Sequence, residues 1–111
     1  MELHEFESRF EKTINAFREV GESYAECKAQ SWHLQELRKV ILANQMTKLE
    51  GSESSKERQA LCSEEYRIHL NGTRQAIENE LKLRAKMEKL QYQIEAYRSL
   101  SSLAKKQMNM L

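Results

Sequence analysis

Not one of the chain's 111 residues is proline or aspartate, and only three are glycine. Proline breaks a helix interior by removing a backbone donor and clashing with the turn before it, and glycine weakens one through backbone entropy. Aspartate favours caps and turns, because its short side chain competes for nearby backbone groups. Every acidic residue here is glutamate, which loses little rotamer freedom in a helix. Such a chain is written for long, uninterrupted helices.

Charged residues make up 32% of the chain and hydrophobic ones 40%, a balance that suits helices burying one narrow stripe and solvating the rest. At this length one domain with a thin core is expected. The formal net charge is +1, yet it is unevenly spread. Residues 1–30 carry seven Glu against four Lys and Arg, whereas residues 71–111 carry eight Lys and Arg against four Glu. The basic character therefore lies toward the C-terminus. Cys27 and Cys62 have no CxxC spacing and fit free thiols in an intracellular chain better than a disulfide. The acidic start, Met-Glu-Leu-His-Glu-Phe-Glu, lacks the basic and apolar regions of a signal peptide. The apolar run from Val40 to Ala43 is far too short to span a bilayer. A soluble, cytoplasmic protein with no membrane partner is expected.

Alternating steps of three and four pick out Leu3, Phe6, Phe10, Thr13, Phe17, Val20, Tyr24, Cys27, Ser31, Leu34, Arg38 and Ile41. This period is that of a helix packing along a seam, and it predicts a first long helix within residues 1–50. The seam begins aromatic and turns small and polar near Ser31 and Arg38, where the apolar face shifts onto Leu34, Leu37, Val40 and Ile41. Gly21 inside it suggests a bend or a close approach. Residues 51–63 form a serine-rich linker with a short helix near 56–62, capped through the box spacing of Ser54 and Glu57. Gly51 suits the end of the first helix, and Ser63-Glu64-Glu65 starts the next.

Residues 64–111 make the second long helix. Its cleaner seam is Leu83, Met87, Leu90, Ile94, Tyr97, Ser101, Ala104, Met108 and Leu111. Upstream, Tyr66, Leu70, Thr73, Ile77 and Leu81 form a stripe slightly out of phase, so a change of neighbour is expected near Leu81–Leu83. Two helices of this length each span roughly 70 Å at 1.5 Å per residue. Joined by a short link they make an antiparallel hairpin with no closed core. Association into a dimer or higher oligomer would cover what the hairpin leaves exposed. Its packing seam is assigned to Phe6, Phe10, Phe17, Tyr24, Trp32, Leu83, Met87, Leu90, Ile94 and Tyr97. Trp32 lies off the main stripe and is expected to pack, with anchoring of a partner as its alternative.

Little in the chain specifies a reaction. Cys27 with His33, and Cys62 with His69, are separated by six and seven residues, not by the spacings that aim two donors at one metal ion. A serine-nucleophile motif and a glycine-rich phosphate loop are both missing. A thin hairpin also rarely supplies a concave pocket. A non-enzymatic protein without cofactor or metal is expected. The aromatic series reads as core rather than as a platform for bases. The candidate binding residues are the cations Lys82, Arg84, Lys86, Lys89, Arg98, Lys105 and Lys106. Of these, Lys82, Lys86 and Lys89 share a face at i, i+4 and i+7 and could track phosphates, with Tyr92 beside them. A solvated face partly paired with Glu78, Glu88 and Glu95 is the plainer account of the same residues.

Several positions resemble small helical proteins encoded by temperate phages and prophages. They are Lys28-Ala29, Leu34, Leu37, Arg38-Lys39, Ala43 and Met46, then Leu61, Ser63, Tyr66, His69, Gly72 and Ala76, and finally Arg84, Glu95-Ala96-Tyr97-Arg98-Ser99, Met108 and Leu111. Tyr97 stands where that group usually has tryptophan, and Lys105-Lys106-Gln107 replaces a basic–Ala–Glu run. Such proteins are often encoded near recombination or single-strand annealing genes. The resemblance implies an accessory factor in DNA recombination or replication, with DNA (single-stranded favoured) or a recombination or host protein as partner. The competing expectation is a structural or inhibitory module that binds a host factor through its helix faces and never touches nucleic acid.

Overall fold

A computed structural model describes residues 2–110. The protein is all-α: a helical hairpin of α1 (Leu3–Thr47) and α3 (Glu64–Met110), with the short α2 (Glu53–Leu61) between them and no strand among the described residues. The chain clusters into two compact units, one joining Met1–Tyr24 to Lys82–Leu111 and the other formed by Ala25–Leu81. In each, α1 runs antiparallel to α3.

In the first unit Phe6 and Phe10 meet Tyr97, while Gly21 lies beside Met87. Residue numbers thus rise on one helix as they fall on the other. Val20 and Ile94 are buried here, and Phe17, Leu83, Met87 and Leu90 are half-buried. The Tyr97 ring takes Phe6 edge-on with centroids 5.4 Å apart and Phe10 at 5.6 Å. Edge contacts of this kind add about 0.5–1.5 kcal/mol each beyond the area they bury.

The second unit is closed by different chemistry. Ser31 is fully buried, with Gln35 Nε2 donating to its Oγ at 3.0 Å. His69 Nε2 lies 2.9 Å from the Leu34 carbonyl of the facing helix. A carbonyl only accepts, so Nε2 carries the proton. Thr73 Oγ1 donates to the His69 carbonyl at 2.9 Å and lies 3.4 Å from the same Nε2. Small residues at Ser31, Thr73 and Ala76 suit a ring reaching across to a backbone oxygen.

The link between the long helices is held by backbone geometry and serines. The end of α1 tightens through Lys48 N–H to Gln45 O (3.2 Å) and Leu49 N–H to Met46 O (3.1 Å), the three-residue pattern common at helix ends. Gly51 has φ 122°, a region that side chains rarely adopt, four residues past the last turn. The cap of α2 is Ser52, whose Oγ accepts from Ser55 N–H at 3.2 Å, so the helix begins earlier than the Ser54–Glu57 box predicts. Either serine suits a cap by type, and the backbone leaving Gly51 selects the first. Ser63 Oγ donates to Ala60 O at 2.7 Å and accepts from Tyr66 N–H at 3.2 Å, tying the end of α2 to the start of α3. Glu65 on the first turn of α3 accepts from Gln45 and pairs with Lys48 at 3.7 Å.

The seam of α3 departs from its expected course. Residues 66, 69, 73, 76, 80, 83, 87, 90, 94, 97 and 101 turn inward, one unbroken alternation of three and four. No phase change occurs near Leu81–Leu83. His69, Ala76 and Glu80 occupy the seam, while Leu70 and Leu81 are exposed, the latter by 55%. The physical reason is that the facing helix fixes the period, and four of the positions it selects upstream of Leu83 (His69, Thr73, Ala76 and Glu80) are not strongly apolar. On α1 the seam likewise runs through Leu34, Leu37 and Ile41, but Val40 is 52% exposed and Arg38 faces solvent. Ala104 and Met108 are exposed, and Leu111 lies outside the described residues. Among the described residues no helix is long and apolar enough to cross a membrane.

Candidate functional site

The heptad frame sorts the seven candidate cations. With the seam of α3 at positions a and d, positions g and c lie on one flank, e and b on the other, and f at the back. Lys82 and Lys89 take c and Lys86 takes g. Arg84, Arg98 and Lys105 take e, and Lys106 takes f. All seven are exposed, but they do not form one stripe.

The e flank is of mixed charge. Arg84 Nε lies 3.4 Å from Glu88 Oε1, one turn further along the same helix. Arg98 and Lys105 stand on the rim of a groove of about 400 Å³ that also holds Glu7 of α1, beside Phe6, Phe10 and Tyr97. Arg98 and Glu95 share a second groove of about 320 Å³ with Ile14, Phe17 and Ile94. Carboxylates are thus interleaved with the cations on this side, which weakens its pull on a phosphate chain.

The g and c flank keeps its sign. Lys82, Lys86 and Lys89 follow one another along about 10.5 Å of helix rise, with no carboxylate between them at those positions. Lys82 is already engaged within the chain, whereas Lys86 and Lys89 are exposed. Beyond Lys89 the flank continues into a shallow depression of about 500 Å³ lined by Ala85, Glu88, Lys89, Tyr92, Gln93 and Ala96. Glu88, the carboxylate of that lining, pairs with Arg84.

The residues assigned to the packing seam divide as well. Phe6, Phe10, Phe17, Tyr24, Leu83, Met87, Leu90 and Tyr97 are half-buried and Ile94 is buried, all at seam positions of the hairpin itself. Trp32 is the exception: it sits at a b position and is 64% exposed within the chain. Its place follows from spacing, because the residue beside buried Ser31 must face away from the seam.

The possible metal donors do not converge. Cys27 is a half-buried free thiol, Cys62 an exposed one, and His69 is committed to Leu34. Among the described residues no group of three or more His, Cys or Glu is placed to hold a metal ion. The contact of His69 is the functional-looking feature that residue type did not reveal. Counting back from Leu83 in steps of three and four reaches 80, 76, 73, 69 and 66, and so would have placed it on the seam. When the chain is compared with protein-family models, curated proteins and solved structures, nothing matches.

Proposed function

We propose that this protein is a non-enzymatic, cytoplasmic accessory factor of phage type in DNA recombination or replication, acting as an oligomeric helical module that binds nucleic acid. One observation carries the binding step: Lys82, Lys86 and Lys89 keep one sign of charge along one flank of α3, in a stretch (residues 82–110) with seven Lys and Arg against two Glu. Lysines along an exposed helix flank neutralise phosphates without reading sequence, so affinity must fall steeply with salt as counterions are released. The phage context rests on the sequence resemblance alone.

Fluorescence anisotropy with labelled single- and double-stranded oligonucleotides, at low and at physiological salt, tests this. Steeply salt-dependent binding is expected. The Lys82/Lys86/Lys89→Ala variant should lose at least tenfold in affinity and flatten the salt slope by about two to three, while circular dichroism stays helical. A variant that binds as well as the parent would remove the basic flank from the proposal.

A second function draws on the exposed Trp32, a residue type enriched at binding hot spots. In it the protein is a structural or inhibitory module that holds a host protein through its helix faces. An apolar contact of that kind would survive salt that abolishes phosphate binding.

A further inference from the structure

We infer that Tyr92 is a stacking platform for an unpaired base, which makes single-stranded nucleic acid the ligand of the lysine flank; this rests on the function proposed above and adds a residue and a ligand class to it. The chain has four tyrosines. Tyr66 is buried, Tyr24 is half-buried and Tyr97 packs on two phenylalanines. Tyr92 alone stands in solvent, 72% exposed at an f position. An aromatic ring there covers no seam and gains nothing from the hairpin, and tyrosine is a poorer helix former than the Lys or Glu usual at such positions.

Its surroundings leave the ring open. The shallow depression beside it is lined by Ala85 and Ala96, neither tall enough to screen a ring face, together with Lys89, Gln93 and Glu88, whose carboxylate pairs with Arg84. Lys89 borders the same depression, and Lys86 stands one turn before it. The rise from Lys86 to Tyr92 is about 9 Å, so ring and ammonium groups meet one short stretch of chain. A base stacks on an aromatic face whatever its identity, while the phosphates beside it meet cations. Paired bases inside a duplex offer no free face, so the platform selects single strands. Charge complementarity names the occupant: the charged residues lining the depression are Lys89 and Glu88, the latter paired with Arg84, and Lys86 extends the positive charge one turn before Lys89, which apolar docking of a helix would not call for.

The test uses the full chain with a short single strand carrying one 2-aminopurine, and with a duplex of the same length. Wild type and Tyr92→Phe should bind the single strand more tightly than the duplex and change the probe's fluorescence on binding. Tyr92→Leu should bind the single strand roughly tenfold more weakly, with an unchanged salt slope and no fluorescence change. If Tyr92→Leu binds and quenches like wild type, or if wild type prefers the duplex, the platform is overturned and the lysine flank stands. If wild type binds neither strand at low salt, both fall together.

Discussion

The unit joining Met1–Tyr24 to Lys82–Leu111 closes its seam mostly with rings and long aliphatics, whereas Ala25–Leu81 sets Ser31, His69, Thr73 and Ala76 among the apolar Leu34, Leu37, Ile41 and Tyr66 of its seam. In the first, Tyr97 between Phe6 and Phe10 supplies burial and edge-on ring contacts. The burial component is non-directional, and a helix displaced along the seam would still bury much of the same surface. In the second, His69 must bring one nitrogen to one carbonyl 2.9 Å away. A hydrogen bond fails steeply with distance and angle, so that contact forms in a single register. Ring packing distinguishes the first unit, and the His69 contact gives the second a register-specific element beside its apolar residues.

The largest expected effect breaks the first half of that contrast. Tyr97→Ala removes a half-buried ring from two aromatic contacts and should lower stability by about 2–4 kcal/mol, read by urea unfolding followed through helical circular dichroism. A loss within about 0.5 kcal/mol, the size of an ordinary surface change, would mean that the rings add little.

His69→Ala should be milder, about 1 kcal/mol, since the ring leaves only a carbonyl that keeps its intrahelical partner. Its sharper signature is local. Amide hydrogen exchange should rise around Leu34 and Thr73 and stay unchanged around Phe10 and Tyr97. Equal rises in both units would dissolve the distinction between them.

The smallest effects run the other way. A Cβ at Gly72 meets nothing within 4 Å, and one at Gly21 meets only Met87 Cε at an ordinary 3.7 Å. Gly72→Ala and Gly21→Ala should each stabilise by about 0.5–1 kcal/mol, raising the thermal midpoint by a few degrees. A destabilised Gly21→Ala would reveal a tighter aromatic seam than the 3.7 Å contact implies. Gly51 is the converse case: with φ 122° any side chain is strained there.

The absence of proline and aspartate, together with alternating steps of three and four, was enough to specify two long helices, their antiparallel pairing and the position of the break. Those properties rest on local propensity and period, which a chain carries residue by residue. The α1 seam from Phe6 to Tyr24 and the α3 seam from Leu83 to Tyr97 were legible because apolar type and heptad position coincide there at every step but Thr13. They part company at Leu70 and Leu81, which are apolar but exposed, and at His69 and Glu80, which are polar but turned inward. Only the facing helix decides such positions, since it continues the period whatever residue it meets. Tertiary structure also chose Ser52 over Ser54 as a cap and paired Arg84 with Glu88. It separated seven cations into three on a mixed flank, three on a basic one and Lys106 at the back, because the facing helix fixes which sides of α3 remain open. Sequence counts charges, whereas the partner helix determines where each one stands.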